Sequence, residues 1–269
     1  MSTPVSTPSV PDGLRFAFGT LTVLPVTVTR WDRDAARAGM LCAPVAGLVV
    51  GLLSAALGLL PLLLGAGPLL AAVATTAVSA VLTRGLHLDG LADTADGLGS
   101  GKPAEDALRI MKQSDIGPFG VLTLVFVLLA QVAALAEAYG QSWARGALAA
   151  VVAATTARLA LTLAARTGVP PARPEGLGAA VAGTVPARYA ALVAGLVVCA
   201  AAGVSTLLGP YDAALGTALP VVLAVALACA AAEALLRHCT RRFGGVTGDV
   251  FGALAETAAT ATLVVLSFG

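Results

Sequence analysis

The chain has 269 residues, of which 58% are hydrophobic and only 12% charged, and its mean hydropathy is +0.90. A soluble domain carries about 25% charged residues, so this composition excludes a water-covered globule and predicts an all-α, polytopic membrane helix bundle. A net charge of +1 excludes the broad basic field of a nucleic-acid binder.

Residues 1–13, "MSTPVSTPSVPDG", lack the basic start of a cleavable signal and are rich in Pro, Ser and Thr. They are expected to be a disordered leader, with 14–269 forming one membrane-embedded domain. The next stretch, 14–28, is apolar but carries Arg15 and is broken by Pro25, which predicts an interfacial or re-entrant segment. A crossing helix needs ~20 mainly apolar residues. Such runs lie near 41–64, 68–83, 118–138, 147–165, 189–208, 214–236 and 253–268. The second and last are short, so six to seven crossings are expected. Gly47 and Gly51, four apart, suit close helix packing in lipid. Cys42, Cys199, Cys229 and Cys239 form no C-x-x-C pair and read as small buried thiols.

With seven crossings, the leader and the loops at 84–117, 166–188 and 237–252 share one face. That face holds Arg15, Arg30, Arg33, Arg37, Arg84, Lys102, Arg109, Lys112, Arg166, Arg173, Arg188, Arg237, Arg241 and Arg242. The opposite face, with connections "YGQSWARG" and "GPYDA", has only Arg145, while Arg158 falls inside a span. The positive-inside rule places the crowded face in the cytoplasm, and the chemistry with it.

The segment "RGLHLDGLADTADGLG" (84–99) concentrates polar residues on that face. At 100° per residue, Asp89, Asp93 and Asp96 fall at i, i+4 and i+7 on one narrow stripe. Three aligned carboxylates repel unless a cation lies between them, and oxygen-only ligands suit Mg²⁺, or Mn²⁺, better than zinc. Mg²⁺ is commonly shared with substrate phosphates, so a diphosphate is the expected ligand. His87 lies nearly opposite on a continuous helix. It reads either as a site residue, if a loop at Gly85 and Gly90 bends it round, or as an orienting neighbour.

Downstream, "AEDALRIMKQSDIGPFG" predicts an amphipathic surface helix whose Arg109 and Lys112 sit at headgroup level or on phosphates. The loop "RTGVPPARPEGLGAAVAGTVPAR" carries Arg173 and Glu175, and its length marks it as functional or disordered. In "RHCTRRFGGVTGDVFGALAE", Arg241 and Arg242 precede a Gly-rich turn, and Asp249 and Glu256 follow seven apart on one helical face. Glu256 lies two turns deeper, and a carboxylate within the membrane is a functional candidate.

The stretches "LTVLPV", "RGLHLDGLADTADGLG", "RIMKQSDIGPFG", "ARPEGLGAA" and "RRFGGVTGDVFGALAE" together resemble the cobalamin synthase family, the adenosylcobinamide-GDP ribazoletransferases. They run in that family's order nearly end to end, although Asp115 stands where members often carry a basic residue. The resemblance implies a Mg²⁺-dependent, multi-pass enzyme of the bacterial or archaeal inner membrane with its active site facing the cytoplasm. A ribose hydroxyl of α-ribazole, or of its 5′-phosphate, attacks the cobinamide-linked phosphorus of adenosylcobinamide-GDP, and GMP leaves. On this reading Asp89, Asp93 and Asp96 hold the metal and Asp249 is a further ligand or a base, with His87 also catalytic. Arg84, Arg109, Lys112, Arg173, Glu175, Arg241, Arg242 and Glu256 contact substrate. Expected partners are the two substrates, the lipid bilayer and other cobalamin-assembly enzymes at the membrane.

Two other readings are weaker. A CDP-alcohol phosphotransferase needs D-G-x-x-A-R, which "DGLADT" does not satisfy. An ion-coupled carrier needs inverted repeats and midplane polar sites, whereas the acidic residues here gather at helix ends.

Overall fold

The computed structural model of the chain describes residues 9–208 and 214–268, which are largely helical and contain isolated β-bridges but no strand. A capping box between Ser9 and Asp12 starts α1 (Val10–Leu21). Residues 10–13 of the expected leader are therefore helix, while 1–8 lie outside the described residues. At 12 residues α1 rises about 18 Å, too short to cross a bilayer. It packs on α2 (Arg33–Gly58), and its buried Phe16 meets Trp31 edge-on at 5.5 Å. The Asp32 side chain caps α2, and with α3 (Leu60–Leu63) it forms the first crossing.

The chain continues as α4 (Pro68–Leu82), α5 (Leu86–Gly99) and α6 (Ala104–Ile110), then α7 (Pro118–Gln141) and α8 (Trp143–Ala164). A short α9 (Leu177–Val181) precedes α10 (Ala187–Leu208), α11 (Ala214–Phe243) and α12 (Gly248–Leu266). Six helices among the described residues are long and apolar enough to cross, and the bent pair α4–α5 is the seventh candidate. Four of them begin or end in charged turns that a hydropathy count omits, so α2, α8, α11 and α12 outrun the expected spans. The connection "GPYDA" (209–213) lies outside the described residues.

Contacts fix which ends share a face. Arg33, at the start of α2, donates to the carbonyls of Ala179 (3.1 Å) and Ala182 (2.9 Å). In the same loop, Arg173 donates to the Leu108 carbonyl and pairs with Asp249, while Arg242 donates to the Lys102 carbonyl. The loops at 84–117, 166–186 and 243–249 therefore lie together beside the start of α2. Because α2 runs away from this face and the chain is back by Arg84, α4 must return across the bundle. Its axis then turns 88° into α5, through consecutive left-handed residues at Arg84 (φ 56°) and Gly85 (φ 66°). The helix α5 lies across the site-bearing face and does not continue as a crossing.

Helix α8 is the axis of the bundle, packing on α2, α7, α10, α11 and α12 through small residues such as Ala149, Ala153, Ala157 and Ala160. Gly47 and Gly51 bear out the close-packing expectation. A Cβ on Gly51 would come 2.8 Å from Val151 Cα, and one on Gly47 would strike the Ala154 carbonyl. The perimeter is apolar, with Leu122, Phe126, Leu129, Leu192 and Leu196 all more than half exposed. Such a surface is stable facing lipid and not water. The cysteines are all free; Cys239 is buried, but Cys199 is exposed because α10 turns most of its surface outward.

Candidate active site

The site is built where α5 crosses the first turn of α12. At the crossing a Cβ on Gly90 would lie 2.6 Å from the Asp249 carbonyl oxygen, and one on Gly252 3.0 Å from that of His87. Only glycine at both positions lets the two backbones touch. This contact places Asp249 beside Asp89 and Asp93, from which it is 160 and 156 residues distant in sequence. Thr247 caps α12, accepting from the Val250 N–H at 3.2 Å while its hydroxyl donates to Asp249 Oδ2 at 3.1 Å. Thr247 was not singled out in the sequence, although a Thr before a Gly-Asp helix start is a capping signal.

A cleft of about 490 Å³ opens on this crossing. Asp89, Asp249, His87, Lys112, Arg173 and Glu175 line it. Arg173 is half-buried with its Nη1 3.8 Å from Asp249 Oδ2, and Lys112 Nζ lies 3.9 Å from Glu175 Oε1. The loop that carries Arg173 is held to the α11–α12 turn by paired backbone bonds, Ala172 N–H to Val246 O at 2.9 Å and Val246 N–H to Pro170 O at 3.0 Å. Burial pushes the Asp93 carboxyl up to about 7, the carboxylates of Asp89, Asp249 and Asp96 push the same way, and Arg173 opposes them. The cluster is therefore a concentration of negative charge partly offset by one guanidinium.

Several expected residues stand elsewhere. Asp96 is not grouped with Asp89 and Asp93. It is buried, and its two oxygens accept the N–H groups of Gly117 (2.7 Å) and Gly120 (2.9 Å) at the N-terminus of α7. A helix N-terminus presents unpaired N–H groups and positive potential, which outcompetes the helical stripe for this carboxylate. Arg109 is exposed and pairs with Asp106 at 2.6 Å, away from the cleft. Arg242 lies over the Phe243 ring (5.8 Å) and ties α11 to the 100–103 turn, and Arg241 is exposed beyond the cleft wall. Arg84 forms the α4–α5 turn beside Asp89, outside the main cleft. Glu256 accepts from Gln131 at 2.8 Å in a separate cavity deeper in the bundle. Among the described residues no three His, Cys, Asp or Glu side chains converge into a ready metal-ligand set.

His87 is 3% exposed, and its Nδ1 stands 3.5 Å from Arg158 Nη2. Burial, and then the Arg158 charge, hold the imidazole neutral, well below its ordinary range.

A family model described as cobalamin-5-phosphate synthase matches residues 13–267. The chain belongs to that family. A Frankia casuarinae protein named adenosylcobinamide-GDP ribazoletransferase is 47% identical over 262 residues, covering 94% of this chain and 93% of its own. A Nocardioides protein of the same name is 41% identical, covering 94% of this chain and 97% of its own. One from Bradyrhizobium diazoefficiens is 39% identical, with coverage of 94% and 92%. No solved structure matches.

Proposed function

We propose that the chain is an adenosylcobinamide-GDP ribazoletransferase, closing the nucleotide loop of a cobalamin on the cytoplasmic face of the inner membrane. The observation that carries the reading is the α5–α12 crossing, which sets the carboxylates of Asp89 and Asp249 with Arg173 and Lys112 in one cleft, with Asp93 one helical turn on from Asp89 and within reach of both charges. The excess of basic residues on this face supports its cytoplasmic placement, and the names carried by the relatives support the substrates.

The donor chemistry fits a hard divalent cation. Asp89, Asp93 and Asp249 offer only oxygens and would hold Mg²⁺ or Mn²⁺, which would relieve their mutual repulsion. Such a cation would supply positive charge to the diphosphate and its leaving group. The chain's own groups do the rest. Arg173 and Lys112, in the lining of the same cleft, attract and orient the diphosphate. The hydroxyl of α-ribazole, or of its 5′-phosphate, forms a new P–O bond to the cobinamide-bearing phosphorus. The P–O bond to GMP breaks in line, and the hydroxyl proton passes to a carboxylate of the cluster. Glu175, exposed at the rim and paired with Lys112, holds that lysine until a phosphate displaces it.

The test uses purified full-length protein in proteoliposomes. GMP release from adenosylcobinamide-GDP is expected only when α-ribazole, or its phosphate, and Mg²⁺ are present. Flux of substrate without GMP release would support a carrier instead. Asp93→Asn is expected to lower turnover by about 10²–10⁴-fold, the range for removing a reacting acid–base or charge-stabilising group, and normal turnover in saturating Mg²⁺ sinks the assignment.

A further inference from the structure

The centre of the bundle holds charged and polar groups that the transfer reaction leaves unused. Arg158, in the axial helix α8, is 4% exposed and sits within a crossing segment. Its Nη2 faces His87 Nδ1 at 3.5 Å, its Nη1 reaches the Ala154 carbonyl at 3.4 Å, and its Nε is buried with no partner. Arg158 also lines a second cavity, of about 50 Å³, between α2, α4, α5, α7, α8 and α12. Ser54, Thr76, Gln131 and Glu256 share its wall. The hydroxyls of Ser54 and Thr76 are likewise buried without a partner.

Buried polar groups are nearly always satisfied by protein or by water. A void needs roughly 10–15 Å³ and two to four polar partners to hold a water molecule. Here three residues that carry orphan polar atoms line one void of sufficient size, and one of them bears a guanidinium that hydrocarbon alone would not tolerate. The consequence reaches the site through His87. A guanidinium only donates, so His87 Nδ1 must be the acceptor, and the ring proton resides on Nε2.

We propose that this chamber is an internal water site that solvates Arg158 within the bilayer, and that Arg158 is a positioning residue fixing His87 as its Nε2–H tautomer. The motif helix α5 is thus anchored from the membrane side at the residue that also walls the cleft beside Asp89. Nε2 then carries an N–H with no partner among the described residues.

The chain has only two histidines, and the other, His238, is exposed on α11. Full-length protein bearing His238→Gln and ¹⁵N-labelled histidine, in lipid nanodiscs, therefore gives a single imidazole whose tautomer is read by solid-state NMR. The expected result is a neutral ring protonated at Nε2, with Arg158→Met giving a mixture of tautomers. Any other form in the His238→Gln protein overturns the proposal, and this spectrum decides even if Arg158→Met does not fold. Hydroxyl-radical footprinting tests the water. Leu128, in the chamber wall, should be oxidised several-fold faster than its lipid-facing neighbour Leu129 at the same depth. Equal or slower oxidation overturns the water site. Neither readout depends on turnover, so its failure is distinct from failure of the proposed activity.

Discussion

Replacing Gly90 with alanine tests whether the α5–α12 crossing makes the site. The added Cβ would lie 2.6 Å from the Asp249 carbonyl oxygen and 2.9 Å from Asp249 Cα. Non-bonded heavy atoms rest at about 3.5 Å, so the helices must part by roughly 0.9 Å where Asp89 and Asp249 meet. Alanine recovers about 1 kcal/mol of helix propensity, while overpacking costs about 1–3 kcal/mol. The net loss is about 0–2 kcal/mol, and the bundle survives it. Catalysis is less tolerant, because a displacement of about 1 Å at reacting groups costs on the order of 10²-fold in rate. Gly195→Ala is the control, since nothing lies within 4 Å of its Cβ position on α10. GMP release in proteoliposomes and thermal melting should show Gly90→Ala losing about 10²-fold in turnover with only a small shift in melting, and Gly195→Ala losing neither. Turnover of Gly90→Ala equal to that of Gly195→Ala would refute the reasoning.

Asp96→Ala strips the acceptors from the Gly117 and Gly120 N–H groups and should lower stability by about 1–2 kcal/mol in denaturant titration. The same variant should retain Mn²⁺ binding by electron paramagnetic resonance, and a loss as large as that of Asp93→Asn would return Asp96 to the ligand set. A pH dependence follows from Asp93. Its folded carboxyl titrates near 7 and its unfolded one near 3.8, so between these values the folded state holds more protons. Stability without divalent cation should therefore fall as pH rises from about 4 to about 7 and level off above that. Melting curves in chelator should show this slope, and Asp93→Asn should remove its contribution; an unchanged slope in that variant would contradict the charge cluster.

Much of the bundle is legible in one dimension because a bilayer demands long apolar helices whose hydrogen bonds are satisfied internally. The runs at 118–138, 189–208 and 214–236 needed only hydropathy to be found, and the basic loops indicated a shared face. The helix ends were less legible, since Arg33, Trp143 and Gly248 start helices on capping and charge and not on apolarity. The acidic motif showed where the chemistry lies but not how its carboxylates divide. Helical spacing puts Asp89, Asp93 and Asp96 on one stripe, yet the amides of α7 take Asp96. Arg158 was visible only as a charge inside a span, because its neighbour His87 is 71 residues away along the chain.

By itself, then, the sequence determined the solvent, the helical class and the face that carries the acidic and basic motifs, because these depend on composition and local period. Tertiary structure decided which carboxylates meet. The right-angle turn at Arg84 and Gly85 and the backbone contact at Gly90 and Gly252 bring Asp249 to Asp89 and Asp93, and take Asp96 to a helix end. Those pairings depend on the crossing of helices distant in sequence, and local periodicity carries no information about such a crossing.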